Sequence, residues 1–145
     1  NSEYGGEWEM RLFTDQLHGI EHVVMIKGDI TTPEPVLTRT HALHEAPDIL
    51  GLGPKSSREL PRAMEKIAEE GRGVVCLFRQ PRHALYAQDE ESVKTIKQIG
   101  LGAQMLSKLG VHELILLTDS PRTKYVGLDA FDLSIVGTRP ILKED

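Results

Sequence analysis

A short apolar run in the last third of the chain is followed, within five residues, by a hydroxyl, a carboxylate and a guanidinium group. The run, Glu113 to Leu117, is bounded by turn residues, which is typical of a strand covered on both faces. Thr118, Asp119 and Arg122 come next, and open α/β sheets bind their ligands at the carboxyl ends of the strands. The sequence therefore predicts either a ligand-binding edge here or a turn that only caps the following segment.

Two histidines near position 40 are the second candidate for chemistry. His41 ends a predicted strand and His44 follows it closely; with Glu45 or Asp48 they could hold a metal ion through nitrogen and oxygen ligands. Two histidines at this spacing also occur by accident, and the pattern fixes no third ligand. The alternative is that His41 is a polar residue at the strand end and His44 a solvated loop residue.

The elements that must position these residues form a β-rich first part followed by β-α units. Alternating and apolar runs predict strands at 7–13, 22–28, 36–41, 73–78, 113–117 and 133–136, with a hairpin connection at 16–19. The spacing of Leu60, Met64 and Ile67 predicts a helix over 57–70, and a second helix ends at Gly110. Residues 47–54 are rich in glycine and proline, which predicts a loop. The order predicts an α/β fold with a mixed sheet and flanking helices.

Composition predicts one domain over residues 1–145, because 39% of them are hydrophobic. The net charge of −5 argues against a nucleic-acid partner, and the absence of a long apolar run or a signal peptide predicts a cytoplasmic protein with no membrane partner. Cys76 lies within a strand pattern, which predicts a buried core residue. Residues 1–6 contain Gly5 and Gly6 and no initiator Met, so we expect a flexible linker from a missing N-terminal domain.

Five segments of the chain stand in the order and at the positions of one enzyme family. They are GEWEMRLF with HVVMIKGDI, VLTRTHAL, IAEEGRGVVCLFRQ, IGLGAQMLSKLGV and LLTDSPRTKYVGL. Together they resemble GTP cyclohydrolase II, the zinc enzyme that opens the imidazole ring of GTP in riboflavin biosynthesis. The resemblance covers nearly the whole chain and implies an α/β sandwich, usually a homodimer. In many bacteria this domain is fused behind a 3,4-dihydroxy-2-butanone 4-phosphate synthase, which the resemblance implies as a partner here.

The resemblance also implies that the family's zinc site is lost. That site needs three cysteine thiolates, and a thiolate-bound zinc with an open position activates the water that attacks the purine ring. The three matching positions here are His44, Pro54 and Ser56. Proline offers no ligand atom and serine is a poor one, so we expect no zinc, no other cofactor and no catalytic residue.

Other positions depart from the family in the same direction. The triphosphate-binding motif after Arg79 and Gln80 keeps only Arg82, and the substrate loop is cut to residues 85–93. Thr95 and Lys97 stand at the positions of a catalytic Asp and Arg, and Glu59 replaces a Gln beside the nucleotide. The remaining substrate contacts implied by the resemblance are Arg39, His41, Arg82, Thr118 and either Thr123 or Lys124.

We therefore expect a degenerate GTP cyclohydrolase II domain that serves a fused synthase as a structural or regulatory module. One alternative is an active enzyme whose rearranged site, around His41 and His44, opens GTP with release of formate. Another is a module that binds a nucleotide or a flavin without turnover, through Arg39, Arg82 and Thr118.

Overall fold

The structure of the protein, a computed structural model, describes residues 1–16, 19–52, 58–79, 91–119 and 128–142. For residues 91–99 it describes the helical backbone without the side chains. The strands are β1 (Glu9–Asp15), β2 (Ile20–Lys27), β3 (Val36–Ala42), β4 (Gly73–Phe78), β5 (Glu113–Leu117) and β6 (Ser134–Arg139). The helices are α1 (Glu45–Asp48), α2 (Glu59–Glu70) and α3 (Glu91–Lys108), with a 3-10 turn at Leu128–Phe131.

The six strands form one mixed sheet in the order β1-β2-β4-β3-β5-β6. β1 pairs with β2 and β2 with β4 in antiparallel fashion, whereas β4, β3, β5 and β6 run parallel to one another. The parallel strands therefore end at the same edge of the sheet, which brings the exit of β3 next to the exits of β4 and β5. The predicted α/β fold with a mixed sheet is confirmed.

The two faces of the sheet are covered by different helices. On one face, Met64 and Ile67 of α2 pack with Leu37, Val75 and Leu117, and Leu60 packs against them as the apolar spacing predicts. On the other face, Met105, Leu106 and Leu109 of α3 belong to the second cluster. Both helices that the sequence predicts thus bury the expected stripes.

Gly73, at the start of β4, permits the close approach of α2. A Cβ at this position would lie 2.6 Å from Ile67 Cγ2 and 2.6 Å from the Leu37 carbonyl oxygen. A side chain here would therefore push the helix off the sheet.

Cys76 lies in β4 and is fully buried, as predicted. Burial raises the pKa of its thiol to about 12, because a thiolate in an apolar core has lost its hydration. The thiol is therefore neutral at physiological pH and acts as a small core residue.

Several boundaries differ from the prediction. β1 begins and ends two residues later than 7–13, and β6 extends to Arg139 rather than to position 136. The predicted loop 47–54 is wrong at its start, because Pro47 and Asp48 belong to helix α1, in which Pro47 is buried. A single helical turn that contains proline carries too little periodicity to be recognised in sequence.

Residues 1–6, for which we expect a flexible linker, form a turn that packs on α2. Ser2 and Gly6 exchange backbone hydrogen bonds, and Trp8 Nε1 donates to the Tyr4 carbonyl oxygen. Lys27 Nζ donates to the Gly5 carbonyl oxygen and lies 5.1 Å from the centre of the Trp8 ring. These contacts give the segment a defined place; the domain that it would link stays a prediction.

One arginine holds the connection between β2 and β3. Arg72, just after α2, donates hydrogen bonds to the backbone oxygens of Asp29, Thr32, Glu34 and Pro35. The loop is thus fixed by a side chain that precedes the neighbouring strand β4.

No helix in the described part of the chain is long and apolar enough to span a membrane.

Candidate functional site

The candidate site lies at the carboxyl end of β3, on the face of the sheet that α2 covers. Arg39 and His41 stand opposite Val75 and Leu77 of β4, and Val75 packs against α2. After the strand, α1 turns back so that Asp48 reaches His41. Glu59, the first residue of α2, reaches Arg39 with its carboxylate. Two helices, α1 and α2, therefore converge on two side chains of β3.

Arg39 binds two other elements through its guanidinium group. Its Nη2 donates to Glu59 Oε2 at 3.1 Å, and its Nη1 donates to the Leu117 carbonyl oxygen at 3.3 Å. The exposed fractions of the two side chains are 15% for Arg39 and 26% for Glu59. The positive charge of Arg39 is thus already matched by a carboxylate in a partly exposed position.

His41 has a hydrogen-bond partner at each ring nitrogen. Arg39 Nη2 lies 3.2 Å from His41 Nδ1, and because a guanidinium can only donate, Nδ1 is the acceptor. The ring proton is therefore assigned to Nε2, which donates to Asp48 Oδ1 at 2.9 Å. His41 is a polar residue at the end of β3, as the alternative prediction has it, and it is buried there.

Asp48 uses both carboxylate oxygens. Oδ1 accepts from His41, and Oδ2 accepts from the His44 backbone N–H at 2.8 Å. Burial alone would raise the pKa of Asp48, but the hydrogen bonds from His41 and from the His44 backbone, with the nearby imidazoles, outweigh it and hold this pKa below its usual value. Asp48 is therefore a charged carboxylate that fastens α1 to β3.

We call Glu59, Arg39, His41 and Asp48 the β3-end cluster. Two carboxylates face one guanidinium and one neutral imidazole, so the cluster has a net charge of −1. Its hydrogen bonds run in one chain from α2 through β3 to α1. Such an arrangement is suited to holding three elements together, whereas a polyanion would have to displace Glu59 from Arg39.

The donor groups present do not fit the thiolate zinc site of the resembled family. His44 Nδ1 lies 3.1 Å from the Ala42 carbonyl oxygen, and Pro54 and Ser56 lie outside the described residues. The chain's single cysteine, Cys76, is buried in β4. Over the described ranges, no group of three His, Cys, Asp or Glu side chains could hold a metal ion.

The alternative metal site around His41, His44, Glu45 and Asp48 is also not assembled. His41 Nε2 carries the proton that Asp48 accepts, and the second Asp48 oxygen accepts a backbone N–H. A metal ion would have to replace both bonds.

The turn after β5 matches the capping interpretation for Asp119. Asp119 Oδ1 accepts the Ile141 backbone N–H at 2.9 Å, and Asp119 Oδ2 accepts that of Leu142 at 3.1 Å. Thr118 is buried, and its backbone N–H donates to the Arg139 carbonyl oxygen at 2.9 Å. The carboxylate that we considered as part of a ligand-binding edge therefore ties the exit of β6 to that of β5.

Only part of the predicted substrate-binding set is brought together. Arg39 and His41 touch, and Arg39 reaches the residue before Thr118. Arg82, Thr123 and Lys124 lie outside the described residues, as do Arg122 and the side chains of Thr95 and Lys97. The roles implied for these residues stay predictions.

The ion pair between Glu59 and Arg39 and the buried His22 were missed by sequence reasoning. Glu59 is separated from Arg39 by 20 positions, and only the resemblance marked it as a misplaced negative charge. His22 reads as one polar residue in an alternating strand, which carries no functional signal.

Comparisons with known proteins place the chain in a family. The family model for GTP cyclohydrolase II matches residues 1–140. The riboflavin biosynthesis protein RibBA of Phocaeicola vulgatus is 34% identical over 161 aligned positions, which cover 97% of this chain and 39% of that protein. The monofunctional riboflavin biosynthesis protein RIBA 2, chloroplastic, of Arabidopsis thaliana is 32% identical over 94% of this chain and 32% of its own length. The chain thus spans well under half the length of these curated relatives.

A solved structure shares the fold. RibBX of A. baumannii, described as a two-domain 3,4-dihydroxy-2-butanone 4-phosphate synthase, superposes with a TM-score of 0.54 at 18% identity. The match covers 95% of this chain and 40% of that one.

Proposed function

This chain belongs to the GTP cyclohydrolase II family, and from that membership we propose that it is a riboflavin-biosynthesis domain that has kept the fold and lost the ring-opening reaction. The proposal rests on one observation above all. The single cysteine of the 145 residues is Cys76, whose thiol is buried in a central strand with a pKa of about 12. The thiolates that would hold zinc in this family have no counterpart here, so we propose that the domain carries no zinc.

The β3-end cluster supports the same proposal. In a site that binds GTP, arginines must be available to the phosphates. Arg39 instead donates to Glu59, and His41 is held between Arg39 and Asp48. The side chains that remain at this edge therefore stabilise the fold.

The experiment that tests the loss of catalysis combines metal analysis with a formate-release assay in GTP and magnesium. A family member that carries the three cysteines is purified in the same way as the positive control. We expect no bound zinc and no formate above the protein-free blank. Stoichiometric zinc together with formate release would overturn the proposal in favour of the rearranged enzyme site.

A variant with three restored thiols sharpens this experiment. In His44→Cys/Pro54→Cys/Ser56→Cys, cysteines stand at the three positions that the resemblance matches to the zinc ligands of the family. We expect this variant to bind about one zinc per chain without releasing formate, because the other family positions have changed as well. Formate release by the variant would show that the cysteines alone had been lost.

We further propose that the domain serves a 3,4-dihydroxy-2-butanone 4-phosphate synthase in the same polypeptide, as a structural or regulatory module in a cytoplasmic homodimer. The support is that RibBX is described as a two-domain form of that synthase, and that the chain spans only 39% of RibBA from P. vulgatus. The test is to delete residues 1–145 from the natural full-length protein. We expect lower thermal stability, altered assembly or a changed synthase rate, and no change in all three would refute this role.

Binding without turnover is the competing function, and calorimetry separates it from the structural role. GTP, GDP and flavin phosphates are titrated to near-millimolar concentration, which detects Kd values of about 1 mM or tighter. We expect no binding heat, since Arg39 is engaged by Glu59. Saturable heat that is lost in Arg39→Ala would establish a binding module.

A further inference from the structure

A second histidine is buried in the sheet, away from the β3-end cluster. His22 of β2 stands opposite Phe13 of β1 and is only 3% exposed. Its ring lies edge-on to that of Phe78, with 5.9 Å between the ring centres and 73° between the planes. The imidazole is therefore buried beside the aromatic ring of Phe78.

Only one nitrogen of this ring has a hydrogen-bond partner among the described residues. The Arg79 backbone N–H donates to His22 Nδ1 at 3.0 Å. Nδ1 must therefore carry a lone pair, which assigns the ring proton to Nε2. Nε2 itself is buried and has no acceptor in the described part of the chain.

The bond to Arg79 and the charged form of His22 exclude each other. A second proton on the ring can only go to Nδ1, where the new N–H would point at the Arg79 N–H. The hydrogen bond is then replaced by two donors that face each other, and a positive charge is buried beside the Phe78 ring. Protonation must therefore break the hydrogen bond of the Arg79 backbone N–H, at the residue where the chain leaves β4, and leave only the longer bond from Arg79 Nη1 to the Glu21 carbonyl oxygen.

We propose that His22 is a pH-sensitive latch, which fastens the carboxyl end of β4 to β2 while its ring is neutral and opens when the ring is protonated. The latch goes beyond the function proposed above. It depends on no ligand and holds whether or not the domain opens GTP.

The charged groups around His22 leave the latch closed at neutral pH. Burial lowers the pKa of His22, Asp15 of β1 opposes this shift, and Arg79 adds to it. From α3, Lys108 is the one charged residue among the described side chains, and it lines the same cavity of about 300 Å³ as Asp15. Because the native pKa lies below the ordinary 6.5, opening is favoured only as the pH falls below that value.

Hydrogen exchange at the Arg79 amide tests the latch. After correction for the intrinsic exchange rate, we expect protection in the wild-type protein to fall as the pH drops below 6.5, by up to about tenfold per pH unit. In His22→Asn, Oδ1 takes the place of Nδ1 as an acceptor that does not titrate, so protection should be independent of pH. His112→Asn, at an exposed histidine, is the matched control and should behave like the wild type.

Two results would overturn the latch. One is wild-type protection that does not change between about pH 7.5 and about pH 5, on either side of the ordinary histidine pKa of about 6.5. The other is an equal loss of protection in His22→Asn. A second measurement needs no variant. Ring nitrogen NMR shifts of His22 at neutral pH should show an unprotonated Nδ1 and a protonated Nε2. The opposite tautomer would contradict the bond on which the latch depends, even if His22→Asn failed to fold.

Discussion

His41 in the β3-end cluster and His22 between β2 and β4 are both almost fully buried and both carry the proton on Nε2. They differ in what surrounds them. His41 lies between a guanidinium and a carboxylate, with a partner at each nitrogen, whereas His22 has a backbone amide at one nitrogen and lies edge-on to the Phe78 ring. Burial alone therefore does not define the role of a histidine. The His41 ring links charged groups, whereas the His22 ring is a hydrogen-bond acceptor that protonation removes.

The largest difference between the two regions should come from replacing His41. In His41→Phe, the buried Asp48 carboxylate loses a donor and Arg39 loses an acceptor, so we expect a loss of about 3 kcal/mol in the free energy of unfolding. Urea unfolding at about pH 7.5, where the Asp48 carboxylate is ionised, measures this loss. A loss below about 1 kcal/mol would mean that the cluster contributes little to stability.

The two regions should lose their contributions to stability in separate pH windows. Both His22 and Asp48 have native pKa values below their ordinary ones, 6.5 and 3.8. Each contribution is therefore complete above the ordinary pKa and is lost as the pH falls toward the native one. We expect the unfolding free energy to decline first below pH 6.5 and again below pH 3.8.

Single variants assign each decline in a pH series of urea unfolding curves. His22→Asn should reduce only the upper decline, and Asp48→Asn only the lower one, to which Asp29 and Glu34, with pKa values that are also lowered, contribute as well. If either variant reduced both, the two regions would not be independent.

Replacing His22 by phenylalanine, as above for His41, should change the free energy of unfolding less. His22→Phe removes the acceptor of the Arg79 N–H, but it also removes an N–H that has no partner in the described structure. The two effects oppose each other, so we expect a net change within about 1 kcal/mol at neutral pH. Thermal unfolding of this variant beside His41→Phe gives the direct comparison, and equal losses would contradict it.

The smallest change is expected at the α2 end of the cluster. Glu59→Gln keeps the shape and an oxygen acceptor for Arg39, and the ion pair is partly exposed, so the loss should be about 0.5 kcal/mol. A gain in pyrophosphate binding, measured by calorimetry, would show that Glu59 is what keeps anions from Arg39. His112→Gln serves as a surface control for unfolding.

The fold was largely predictable because its strands are short apolar or alternating runs with clear ends. β4 and β5 are observed at 73–78 and 113–117, as predicted. The strand order was not predictable, since β3 inserts between β4 and β5 through pairings that no local pattern encodes. Helix α1 was missed because one turn lacks a period.

The site was predictable in its parts and not in its connections. Arg39 and His41 could be named from the sequence, as could Asp48, which we considered only as a metal ligand. That Asp48 instead accepts the His41 proton depends on the fold of α1, and the contact of Glu59 with Arg39 depends on how α2 lies on the sheet. Neither follows from spacing.

Arg72 has a consequence for how this chain can vary between species. It holds the connection from β2 to β3 through four backbone oxygens, and a carbonyl oxygen is present whatever side chain its residue carries. The exposed side chains of Thr32 and Glu34 can therefore vary without loss of these bonds, whereas the Arg72 guanidinium and the buried side chain of Ile30 are constrained. A single codon, far from the loop in the gene, thus fixes the course of four backbone carbonyl groups of this connection.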